Sequence, residues 1–251
     1  MPRPEILALI PARGGSKGIP RKNLLPVSGR PLIVYPIATA LGSSRITRTI
    51  VSTDDEEIAA VSRAHGADVP FLRPAEFATD TATDLDVFRH ALTWLREHEG
   101  YACDLVVHLR ATVPVRTPEV VDDAIDQLLA RPDAHALRSV SLPHQSPFKM
   151  WRPAGEFIEP LIRVPGLPES HSQPRQLLPD VYWQSSYVDI VRSEVVLDLG
   201  MIAGHRVLPF VVDHPSPDLD YLEDVPAVEA ALDALARGAW PAARRGDRHP
   251  G

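Results

Sequence analysis

Apolar residues in this chain gather in short runs, and between the runs they recur at helical spacing. The run Ile6, Leu7, Ala8, Leu9, Ile10 enters a glycine-rich turn and reads as a buried first strand. Residues 48–53, 104–109, 181–191 and 207–212 read as further strands, and 69–72 as a short one. Helices are expected over 31–41, 54–65 and 85–98, the second with acidic residues in its first turn, where they complement the helix dipole. Thr117-Pro118-Glu119 opens another, with Thr at the cap and Pro at the first helical position. Residues 221–236 read as a closing amphipathic helix. Such alternation predicts an α/β fold, a mostly parallel sheet with helices on both faces.

The rhythm breaks over 142–180, a proline-rich stretch with one strand-like piece at 148–152. It reads as an excursion from the sheet, an arm or a lid. From 237 onward Pro, Gly and Arg replace the periodicity, so 237–251 is expected to be a disordered tail behind one domain, 1–236.

Composition narrows the function. A chain of 251 residues can bury one large core, and its apolar (44%) and charged (24%) fractions are those of an ordinary globular enzyme. The net charge of −7 argues against a nucleic-acid-binding surface. The first apolar run is too short for a signal-peptide core, no stretch reads as spanning a membrane, and Cys103 is the single cysteine. A cytoplasmic protein is expected.

Against that acidic background the loop after the first strand stands out. Over 11–23 it carries Gly14, Gly15, Gly18, Ser16 and the cations Arg13, Lys17, Arg21 and Lys22, with no acidic residue. Glycines let a backbone turn its N–H groups toward a ligand, and the cations add charge, which suits phosphates. The spacing is neither a Walker loop nor a dinucleotide fingerprint. A solvated basic loop is the alternative. Near the other end, Asp218 and Asp220 lie two apart, so in an extended segment both face one side, and their hard oxygens suit Mg²⁺. The alternative for this pair is a capped start to the last helix. No nucleophile–base pairing is visible.

As a whole, residues 10–23 resemble the signature of the acylneuraminate cytidylyltransferases, the CMP-sialic acid synthetase family. Val51-Ser52-Thr53-Asp54-Asp55, then Val69-Pro70-Phe71-Leu72-Arg73-Pro74 with Asp80-Thr81, resemble its next motifs. Arg110-Ala111-Thr112-Val113-Pro114-Val115-Arg116-Thr117 and Ser216-Pro217-Asp218-Leu219-Asp220 resemble later ones, in the right order, so the likeness covers 5–236. The resemblance implies a Rossmann-like nucleotidyltransferase fold and a homodimer in which the 142–180 arm reaches its partner.

It further implies Mg²⁺-dependent transfer of CMP from CTP to a sialic-like nonulosonic acid, with release of pyrophosphate. Arg13 and Lys17 would then hold the phosphates, within a nucleotide loop of Ala12, Gly14, Gly15, Ser16 and Arg21. Asn23, Arg73, Thr81 and Thr83 would face the cytidine, while Asp218, a catalytic residue, would hold metal with Asp220. Lys149, Arg175, Gln176, Gln184, Ser185 and Arg110 are the acceptor candidates by the same likeness, although Lys149 reads equally as a solvated surface lysine. Arg110 replaces a customary glutamine, and Ser185-Ser186 an Asn-Gly segment. An arginine fork fits a carboxylate or a phosphonate, so a small phosphonate is the alternative acceptor. A nucleotide-binding homologue without catalysis is the alternative of another kind.

Overall fold

The computed structural model describes residues 3–16, 18–212 and 216–239. Its first half runs β1 (Ile6–Pro11), the two-residue strands β2 (Pro26–Val27) and β3 (Arg30–Pro31), α1 (Val34–Gly42), β4 (Arg48–Ser52), α2 (Glu56–Ala64), α3 (Asp84–Glu99) and β5 (Leu105–His108). The second half adds α4 (Pro118–Leu129), β6 (Ala136–Ser141), β7 (Trp151–Ala154), β8 (Phe157–Pro160), β9 (Trp183–Arg192), α5 (Ser193–Leu197), β10 (Val207–Val211) and α6 (Val225–Ala236).

Six strands form the central sheet in the order β10-β6-β9-β5-β1-β4. β1 runs parallel to both β4 and β5, and β10 parallel to β6. β9 alone is reversed, antiparallel to β5 and β6. The sheet is therefore mostly parallel, as expected, and the fold is an α/β nucleotidyltransferase fold. The first run is continuously apolar because β1 is buried on both faces: Ile6, Ala8 and Ile10 enter one core layer, Leu7 and Leu9 the other.

Several helix starts follow from local chemistry. Asp55 caps α2 by accepting from the N–H groups of Glu57 and Ile58. Thr83 opens α3 through a capping box with Asp86, and Gly100 closes it in the left-handed conformation.

Three expectations need correction. Residues 69–72 make no ladder; only the bridges Ile50–Asp68 and Thr53–Leu72 form, since Pro70 lacks the donor a strand needs. Thr117 does occupy the cap position of α4 with Pro118 at its start, as expected, although its side chain makes no capping bond and its N–H donates to Tyr187 Oη at 2.9 Å. The expected strand at 148–152 is a 3₁₀ turn, Pro147–Lys149, followed by the β7–β8 hairpin. The closing helix begins at Val225, after a 3₁₀ turn. After it, Ala239 N donates to Ala234 O at 2.8 Å, and the rest of the expected tail, 240–251, lies outside the described residues. The strand β6 was not foreseen, because Arg138 and Ser139 interrupt its apolar residues. No described helix is long and apolar enough to cross a membrane.

Candidate active site

From β1 the chain moves outward to β4, and later returns to β5 on the other side of β1. That reversal of direction opens a crevice at the carboxyl ends of β1 and β5, the usual ligand position in an open α/β sheet. A cleft of about 490 Å³ lies there, lined by Pro11, Arg13, Ser16 and Gly18 after β1 and by His108, Arg110 and Thr112 at the end of β5.

The glycine-rich loop is held from outside. Ala12 N donates to Ser52 O, and Gly14 N to Asp54 Oδ1, both at 2.9 Å. Those two N–H groups are thus spent on the fold, contrary to the expectation that they face phosphate. A Cβ on Gly14 would stand 2.8 Å from Asp55 Oδ2, and one on Gly18 2.8 Å from Asp220 O, whereas Gly15 has open space. Ser16 lines the cleft. Lys17 lies outside the described residues.

The described loop cations have carboxylate partners from distant segments. Arg13 reaches Thr79 O and Asp80 Oδ1, each at 2.9 Å. Arg21 pairs with Asp55 and Glu57 and does not line the cleft. Lys22 takes the inward place: its Nζ donates to Leu219 O and Asp220 Oδ1, each at 3.2 Å. Asn23 lines the cleft, and its amide donates to Arg13 O at 2.9 Å, bracing the loop.

Arg73 is the least satisfied cation. Its side chain is 4% exposed, Nε and Nη2 have no hydrogen-bond partner, and Asp54 stands 4.0 Å away. Burial, together with Arg13, pushes its pKa down against the attraction of Asp54. Thr83 lines the same cleft while capping α3; Thr81 does not line it and lies 3.3 Å from Thr79 Oγ1.

Asp220 lines this cleft, while Asp218 lines a neighbouring cavity of about 300 Å³ with Ser141, Leu142, Trp183 and Ser185. The pair therefore stands at a boundary between two cavities, not together on one side as its spacing predicts. Burial first, and then Asp220, raise the pKa of Asp218. Neither residue caps the last helix by its side chain; Asp224 accepts from the N–H groups of Asp220 and Tyr221, closing the 3₁₀ turn that precedes it. Among the described residues no group of three or more His, Cys, Asp or Glu could hold a metal ion.

The acceptor candidates separate. Ser185 is buried in the second cavity with an unpartnered Oγ. Gln184 donates to Asp189 Oδ2 at 3.0 Å. Arg110 lines the first cleft, but its fork is engaged, with Nη1 2.6 Å from Asp189 and Nη2 3.0 Å from Asp84. Lys149 and Gln176 are exposed and line neither cavity, and Arg175 donates to Pro143 O at 2.7 Å, so this chain alone does not bring them to the site. Asp84, His108 and Asp189 escaped the sequence reading; His108 ends an apolar strand and Asp189 interrupts one, which is the signal they carried.

Comparison with known proteins agrees with this geometry. A family model described as cytidylyltransferase matches residues 7–155. The chain is 39% identical over 123 residues to the N-acylneuraminate cytidylyltransferase of Escherichia coli, across 49% of this chain and 28% of that protein. It is 38% identical over 123 residues to the pseudaminic acid cytidylyltransferase of Campylobacter jejuni, across 49% and 53%. The matched stretch thus spans about half or less of those relatives' own length. A weaker likeness, 28% over 229 residues, covers 90% of this chain and 94% of the post-translational flagellin modification protein B of Campylobacter coli. Among solved structures, a CMP:2-keto-3-deoxy-manno-octonic acid synthetase complexed with CTP superposes with a TM-score of 0.69 at 16% identity, covering 92% of this chain and 99% of that one. The 4-diphosphocytidyl-2C-methyl-D-erythritol synthase of Anaerococcus prevotii gives 0.64 at 13%, covering 92% and 99%; likenesses this distant speak for the fold alone. With its sheet, its cleft and more than half its length in agreement, the chain belongs to the cytidylyltransferase family.

Proposed function

We propose that this protein transfers CMP from CTP to a sialic-like nonulosonic acid and releases pyrophosphate. The observation that carries the reading is the buried guanidinium of Arg73, two of whose nitrogens have no hydrogen-bond partner, in a cleft that Arg13 and Lys22 also line. A buried cation without a partner is costly, and a polar or anionic ligand offsets that cost. Relatives named for acylneuraminic and pseudaminic acids support the acceptor class.

In this reaction the anomeric hydroxyl oxygen of the acceptor bonds to the α-phosphorus as the bond to the bridging oxygen breaks. Pyrophosphate leaves, and the hydroxyl proton passes to solvent. Arg13, Lys17 and Lys22 bind the phosphates and meet the charge that develops on the leaving group. Arg73, Asn23 and Thr83 hold the nucleoside end. Asp218 and Asp220 would hold a magnesium ion between the two cavities, where Asp220 adds to the cost of the charge on Asp218 and two carboxylates leave room for phosphate and water ligands. Bound there, magnesium supplies neutralisation of the phosphate oxygens.

A homodimer belongs to the same proposal. Among the described residues the β7–β8 hairpin pairs with no other strand and leaves Phe157 78% exposed, with Ile158 and Leu161 also exposed. So does a cytoplasmic location, where the triphosphate is made.

The test is pyrophosphate release with each common nucleoside triphosphate, Mg²⁺, and a panel of nonulosonic acids and small phosphonates. Release with CTP and one nonulosonic acid is the expected result. Release only with a phosphonate moves the acceptor to that class. CTP binding without release under any acid supports a non-catalytic nucleotide-binding homologue and sinks the reading.

A further inference from the structure

Beneath the cleft runs a chain of charged groups that phosphate binding does not use. Asp189 interrupts the apolar part of β9, where the register sets it opposite His108 of β5 on one side and Arg138 of β6 on the other. Its Oδ2 accepts from Arg110 Nη1 at 2.6 Å and from Gln184 Nε2 at 3.0 Å, and lies 2.6 Å from Arg138 Nη1. Apolar side chains could fill a buried strand position without the desolvation that a carboxylate and two guanidinium groups incur, so packing alone does not account for this cluster.

From that anchor Arg110 extends to the cleft and meets Asp84. Its two partners are unequal. The Asp189 side chain is 3% exposed, that of Asp84 43%. Water screens the outer contact and makes it easy to exchange, while the inner one has no solvent to replace it. His108, buried with Nδ1 unpartnered 3.8 Å from the same Asp84 oxygen, is held neutral by burial and by Arg110, Arg138 and Arg116. It therefore offers Asp84 no competing charge.

We propose that Asp189 is a positioning residue for acceptor recognition: it pins one nitrogen of Arg110, and the other exchanges Asp84 for the carboxylate of the acceptor. The inference rests on the transfer reaction proposed above. Asp84 then serves as an internal anion that occupies the fork until the acceptor arrives.

Steady-state kinetics of Asp189→Asn, Arg110→Lys and Asp84→Asn, with calorimetric CTP binding and melting curves, test it. Asp189→Asn raises the acceptor KM roughly tenfold and leaves CTP affinity within about twofold. Arg110→Lys shares the defect, since an ammonium cannot bridge both groups. Asp84→Asn, at an exposed position, lowers the acceptor KM about threefold by removing the competing anion. A purely structural cluster would not move KM in opposite directions. Equal losses for CTP and acceptor in Asp189→Asn, or an acceptor KM that Asp84→Asn fails to lower, overturn the proposal. If the unsubstituted protein binds CTP and turns over no acid, the transfer reading falls and takes the inference with it. Normal turnover with Asp189→Asn unaffected sinks the inference alone.

Discussion

Lys22 and Asp220, 198 residues apart in the chain, meet at 3.2 Å on the wall of the cleft. The ammonium also donates to Leu219 O, so the basic loop and the acidic turn close on each other. Gly18 allows the approach, because a Cβ there would stand 2.8 Å from Asp220 O. Each charge partners the other across the cleft wall.

Replacing Lys22 with Ala is accordingly expected to lower kcat about a hundredfold, the scale of losing one preorganised donor to a charged transition state. The Lys22 side chain is 17% exposed and that of Asp220 60%, a partly screened pair, so the melting temperature should fall only slightly. Pyrophosphate release at saturating CTP, with a melting curve, checks both. A loss of stability with unchanged kcat would make Lys22 a structural tie.

Arg73 carries the opposite balance. Its buried guanidinium has two unpartnered nitrogens, so Arg73→Met removes an unsatisfied charge and keeps most of the volume. The nucleotide-free variant is expected to melt at or above the temperature of the unsubstituted protein, while CTP affinity falls at least about tenfold. Thermal melts with and without CTP decide it. A variant that is less stable yet still shifted by CTP would contradict the assignment.

Asp218 sets a pH dependence. Burial and then Asp220 raise its pKa above the ordinary carboxylate value. A carboxyl with a raised folded-state pKa contributes stability that is fully present below the unfolded value and lost as pH rises through the folded one. Asp218→Asn should thus melt higher than the unsubstituted protein at neutral pH in chelator, and the difference should vanish on acidification toward 3.8. Magnesium should stabilise the unsubstituted protein and not the variant. An unchanged magnesium shift in the variant would remove Asp218 from the metal site.

The bare hairpin gives a prediction about assembly. Phe157 stands 78% exposed on a β-hairpin that pairs with no other strand among the described residues. Phe157→Glu is expected to yield a monomer of unchanged fold, read by sedimentation and circular dichroism. A monomeric unsubstituted protein would refute the arm as a dimer contact.

The chain's own pattern determined the elements whose causes are local. A buried strand must be apolar on both faces, so β1 and β5 were legible as continuous runs. A helix needs a cap and a period, and α2 and α3 carry both. The glycine-rich loop announced itself because many cations without an acidic neighbour in sequence are unusual in an acidic protein.

What only the tertiary structure decided is which charges meet. Arg21 and Lys22 are adjacent and alike, yet one turns to Asp55 and Glu57 and the other into the cleft. Arg110 read as an open fork, and the fold fills it with Asp84 from the start of α3 and Asp189 from β9. β9 read as one more strand of a parallel sheet, and its reversal is what sets Asp189 between His108 and Arg138. Secondary structure follows from interactions a few residues long, whereas a Coulomb pair depends on distance in space, and loop closure adds only slowly to the cost of bringing distant residues together.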